Sequence, residues 1–64
     1  MDNLNRQTAK LINVGDTIHI VGRSLDVTGT ILWKDNSGLG IDCTNKVRVG
    51  VFFNTAEQYK FEIL

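Results

Sequence analysis

The chain has no proline, a single cysteine and a single histidine among its 64 residues, and its seven basic side chains balance seven acidic ones. Each scarcity excludes something. One cysteine cannot form an internal disulfide, and a free thiol fits a reducing, cytoplasmic setting. One histidine and one cysteine do not supply the four ligands of a structural zinc site. They also supply no set of nucleophile, base and orienting group, so no enzyme and no cofactor are expected. Net charge of zero argues against a general electrostatic grip on nucleic acid, which needs clustered Lys and Arg. No apolar run approaches the roughly 20 residues of a membrane span. The opening segment MDNLNRQTAK is polar and lacks the apolar stretch of a secretion signal. The absence of proline argues against a disordered linker.

A chain this short makes one domain, taken as residues 1–64. It buries only about 60% of its unfolded surface, so its core is thin. With disulfides and metal excluded, oligomerisation is the remaining aid to stability.

The most legible stretch is Val27 to Cys43, VTGTILWKDNSGLGIDC. Val27, Gly29, Ile31 and Trp33 alternate with Thr28, Thr30, Leu32 and Lys34, the period of a strand with one buried face. Asp35-Asn36-Ser37-Gly38 gathers turn-forming residues. Leu39, Ile41 and Cys43 then resume the alternation. This is a hairpin, with Trp33 assigned to the core beside Val27 and Ile31, or else to a binding platform at the strand end. Gly29, and Gly40 on the partner strand, mark a bulge or sharp bend.

The remaining elements follow from spacing. Asp2 to Ile12 predicts a short helix, capped by Asp2 or Asn3, with Leu4, Thr8, Leu11 and Ile12 on one face and Lys10 near its C-terminal end. Residues 14–64 predict the barrel. Val14-Gly15-Asp16 turns into a first strand, Thr17 to Val21, with Ile18 and Ile20 inward and Thr17 and His19 in solvent. Leu25 plugs the barrel end. Thr44-Asn45 makes a tight turn. Lys46 to Phe53 forms a strand with Val47, Val49, Val51 and Phe53 inward. Asn54 to Glu57 forms one helical turn. In a last strand Tyr59, Phe61 and Ile63 face inward. The expected fold is all-β: five strands that curl closed, because so small a sheet otherwise leaves a face and its edges bare.

The outward face of the Lys46–Phe53 strand carries Lys46, Arg48 and Phe52. An aromatic with two cations suits a partner surface or a stacking site. The bland alternative is a minicore of Phe52 with Leu4 and Leu11 under the N-terminal helix. Cys43 continues the inward set as a small core residue.

Residues 14–64, with the V-G-D start, the G-T-I-L-W strand and the helical turn before the last strand, resemble the Src-homology-three-like small barrels. Two patches resemble functional families. Gly29-Thr30-Ile31 and Asp35 keep the spacing of the first motif of Sm and Hfq-like proteins, which implies RNA binding in a ring; the chain has Leu39 where that motif places an asparagine. Asp35-Asn36-Ser37-Gly38-Leu39-Gly40 is similar to the D/N-x-S-x-x-G motif of the PilZ family. That implies c-di-GMP binding through Arg6, Lys10, Asp35, Ser37 and Gly40, with Lys10 standing where the family has a second arginine. The favoured reading is a non-enzymatic binding module, regulatory in kind, that contacts another protein or a second copy of itself through Lys46, Arg48, Phe52 and Trp33. RNA or c-di-GMP binding is the alternative, and no membrane is involved.

Overall fold

The computed structural model describes residues 1–43, 46–54 and 58–64. It is an antiparallel all-β fold of six strands: β1 (Asp2–Asn3), β2 (Thr17–Val21), β3 (Asp26–Lys34), β4 (Gly38–Cys43), β5 (Arg48–Phe52) and β6 (Lys60–Ile63). The sheet order is β1-β6-β2-β3-β4-β5. Among the described residues no ladder joins β1 to β5, so the order has two ends. The expected turn at Thr44-Asn45 and most of the expected helical turn, 55–57, lie outside the described residues.

The N-terminal segment departs from the expected helix. Asp2 and Asn3 pair with Phe61 and Lys60, and the Leu4 amide donates to the Tyr59 carbonyl at 2.8 Å. Only Thr8–Leu11 turns helically, as a 3-10 turn with Lys10 in it. The reason is a competition. About ten residues make a marginal helix, whereas an extended Asp2–Asn3 covers the edge of β6, which otherwise exposes unpaired backbone. Capping shifts accordingly from Asp2 or Asn3 to Asn5. The Asn5 Oδ1 accepts from the amides of Gln7 and Thr8 at 2.8 and 2.9 Å. Thr8 Oγ1 accepts in return from the Asn5 amide at 3.0 Å. This is the reciprocal logic of a capping box, carried by N-x-x-T.

One core lies beneath the sheet. Ile12, Ile18, Ile20, Ile31, Leu39, Ile41, Cys43, Val51 and Phe61 form it, and Leu25 and Tyr59 pack at its margin. Ile18, Ile20, Phe61 and Cys43 take the inward positions that alternation predicts. Val47 and Ile63 do not: both are about half exposed, Val47 ahead of β5 and Ile63 near the chain end.

The sharpest departure lies within the hairpin. Ile31 pairs with Ile41, but Trp33 pairs with the next residue back, Gly40. Leu32 is therefore an extra residue on β3, a bulge. Before it, Gly29 and Ile31 face the core; after it, Trp33 turns outward and Lys34 turns inward at the rim. Trp33 is 39% exposed and is not a core residue. The bulge sits neither at Gly29 nor at Gly40, where glycine suggests it, but at the leucine opposite the Ile41–Gly40 step.

Candidate functional site

Two surface features assemble from the residues that the sequence singles out. The first is an aromatic platform on the outer face of β3, β4 and β5. Trp33 pairs with Gly40, and Gly40 with Gly50, in one row across three strands. Phe52 pairs with Gly38 two rows on, the next row whose side chains share that face. The absent side chains make the platform possible. A Cβ on Gly40 would run into the Trp33 indole, and one on Gly38 would meet the Phe52 ring at 2.9 Å. The two rings thus lie over a floor of bare backbone, with centroids 6.2 Å apart and planes tilted by 44°. That separation is within the range of attractive aromatic pairs. Phe52 remains 48% exposed.

Arg48 shares the outer face of β5 with Phe52 and stands opposite Asp42 in the register. Lys46 does not join it. Lys46 precedes β5 at φ 65°, and its amide donates to the Cys43 carbonyl, so it stands outside the alternation of the strand. The minicore alternative also fails: Leu4 packs on the main core, Leu11 is 59% exposed, and the aromatic beside Phe52 is Trp33.

The second feature is a cleft of about 300 Å³ between the 3-10 turn and the β3–β4 turn, lined by Arg6, Ala9, Lys10, Lys34, Asp35, Asn36 and Phe53. Of the alternative ligand set it brings together Arg6, Lys10 and Asp35; Ser37 and Gly40 do not line it. Gly40 lies under Trp33. Ser37 points its hydroxyl at Asp35 Oδ1, at 2.7 Å, and the amides of Ser37 and Gly38 donate to the same oxygen. These bonds, led by the Ser37 hydroxyl, hold the Asp35 carboxyl below the usual carboxylate range. Arg6 Nε donates to the Asn36 carbonyl at 2.7 Å. Lys34 Nζ donates to the carbonyls of Ala9 and Ile12 at 3.1 and 2.5 Å, which ties the hairpin to the end of the 3-10 turn. Lys34, Asn36 and Phe53 were not legible as site residues, since only the bulge brings Lys34 inward. A signal for Asn5 as the organiser of the turn was present in N-x-x-T.

His19 is not a solvated strand residue. It is half-buried, with Nε2 2.6 Å from Asp26 Oδ1 and Nδ1 3.9 Å from Glu62 Oε1. Both ring nitrogens face carboxylates. Among the described residues no group of three or more His, Cys, Asp or Glu side chains gathers as metal ligands would. Compared with family models, curated proteins and solved structures, the chain matches none.

Proposed function

We propose that the chain is a non-enzymatic binding module that docks another protein on the outer face of β5, through Trp33, Phe52 and Arg48. The carrying observation is the exposed aromatic pair over glycine backbone. Half-exposed Trp and Phe beside an arginine are the residue types that concentrate binding energy at interface centres. β5 is also an end strand, with a ladder partner on one side only among the described residues, and an end strand can accept a partner's backbone. His19 supports the non-enzymatic reading, since both its nitrogens face acids and neither is presented to a substrate hydroxyl. The nucleic-acid reading loses support because Lys46 stands off the strand face and leaves Arg48 as the cation there among the described residues. A small barrel of the Src-homology-three-like kind, with β1 added beyond β6, is the architecture we assign to this sheet. Among the described residues no helix is long and apolar enough to cross a membrane, and the location we propose is the cytoplasm.

The test is Phe52→Ala, followed by sedimentation equilibrium for self-association and by binding to partners captured from the native cell. Association should weaken by about 2 kcal/mol or more, while the unfolding midpoint stays close to that of the unsubstituted chain. Unchanged association in both Phe52→Ala and Trp33→Ala would remove this face from consideration.

A further inference from the structure

We propose that the cleft between the 3-10 turn and the β3–β4 turn binds a phosphate-bearing small molecule of mononucleotide size. The argument begins with charge. The chain as a whole is neutral, yet among the described residues this cleft collects Arg6, Lys10 and Lys34 against Asp35 alone. Like charges brought together from two separate segments, the N-terminal stretch and the end of β3, repel unless an anion lies among them. The one acid present is already engaged. Its Oδ1 takes three hydrogen bonds from Ser37 and Gly38, so it is held by its own turn, and its single charge leaves two of the three cations uncompensated.

Each cation is prepared differently. Lys34 is part-buried, and its ammonium is fixed by the Ala9 and Ile12 carbonyls, which supply dipoles but no countercharge. Arg6 is tethered through Nε to the Asn36 carbonyl. That leaves its terminal nitrogens for the paired contact that a planar guanidinium makes with phosphate oxygens. Lys10 is exposed, and among the described residues its ammonium has no partner. The half-buried Phe53 ring and Ala9 give the cleft an apolar wall, against which a planar body can stack. A phosphomonoester carries about −1.5 to −2 charges at neutral pH, which matches the cationic excess. The volume, about 300 Å³, lies at the lower end of the range of small-molecule sites. This fits one base with its phosphate. Neither Trp33 nor Phe52 lines the cleft, so the inference stands apart from the protein-docking reading.

The experiment is a titration of the ¹⁵N-labelled chain at low ionic strength, followed by NMR, with adenosine monophosphate, adenosine and inorganic phosphate as separate probes. Adenosine monophosphate should give saturable shifts confined to residues 6–10, 34–37 and Phe53. Phosphate alone should move the same signals more weakly. Lys10→Gln should weaken binding about fivefold to tenfold, the scale of one charge-assisted contact, with the remaining signals unmoved. Arg6→Gln should weaken it at least as much, and because the Lys10 ammonium has no contact to lose among the described residues, its variant stays informative if Arg6→Gln disturbs the turn. Absence of saturable shifts, equal shifts with adenosine alone, or undiminished binding in both variants would overturn the proposal.

Discussion

The two halves of the sheet use alternation in opposite ways. On the β2–β6 side the period of two holds as far as Phe61 and lapses only at Ile63 beside the chain end: Ile18, Ile20 and Phe61 are fully buried, and His19 pairs with Glu62 on the far face. On the β3–β4–β5 side it holds up to Ile31 and is then reset by Leu32. The first half is a plain core wall. The second half presents both candidate sites, and one extra residue creates both. It sends Trp33 out to the platform and Lys34 in to the cleft. An apolar side chain thereby reaches the surface and a cation reaches the rim of the core, a reversal that an unbroken strand would not permit.

The comparison predicts where stability resides. Phe61→Ala should be the most damaging single change, since Phe61 is 1% exposed and touches the central set. Truncating a buried phenylalanine costs about 3–5 kcal/mol, a large share of the stability of a domain this small. The thermal unfolding midpoint checks it, and a shift of only a degree or two would mean that the β2–β6 wall is not the main store of stability.

Lys34 marks the boundary between the halves, and its loss should rank second. Lys34→Met keeps the stem but removes the donor to the Ala9 and Ile12 carbonyls. The Ala9 carbonyl keeps the Ile12 amide as a donor, whereas the Ile12 carbonyl loses the ammonium, and leaving such a group unpaired costs about 1–3 kcal/mol. The urea midpoint should fall with an unchanged slope, and the amides of the 3-10 turn should lose exchange protection. A variant as stable as the parent would show that water replaces the ammonium without loss.

Gly40→Ala should separate the two halves most cleanly. The new Cβ collides with the Trp33 indole, which is a half-exposed side chain and can swing aside. The stability cost should therefore be small, about 1 kcal/mol or less, while the ring pair is broken. Emission from the single tryptophan should move towards that of a fully hydrated indole, and docking on β5 should fail. Unchanged emission would show that the indole does not rest on Gly40.

The same contrast between the halves separates what is legible in the sequence from what is not. The hairpin, its turn and the inward residues Ile18, Ile20, Ile41, Cys43 and Phe61 follow from alternation, a local property. The bulge does not, because Leu32 is an ordinary strand residue and its neighbours on both sides fit the same pattern. The strand at Asp2–Asn3 was hidden for a different reason: it exists only because β6, nearly 60 residues away in the sequence, offers an edge. The cleft was partly visible. The D/N-x-S-x-x-G resemblance groups Arg6, Lys10, Asp35, Ser37 and Gly40, but the fold brings only the first three to the cleft: Ser37 turns its hydroxyl to Asp35, and Gly40 lies under Trp33.

The smallest effect should come from the turn that borders the cleft. Asp35 has its carboxyl held below the usual range, chiefly by the Ser37 hydroxyl. A depressed value means that the folded state binds the proton less readily than the unfolded one. The stabilisation is then fully present above the unfolded pKa and is lost as pH falls through the folded one. Asp35→Asn keeps an oxygen that accepts from the Ser37 and Gly38 amides but removes the charge. The variant should be slightly less stable than the parent at neutral pH, and the two stability curves should converge as pH drops below the ordinary carboxylate range, near 4. Because the group is exposed, the gap should be modest and should narrow with salt. Curves that stay parallel from neutral to acid pH would mean that the charge of Asp35 adds nothing to the turn, and that the amide and hydroxyl donors alone set its geometry.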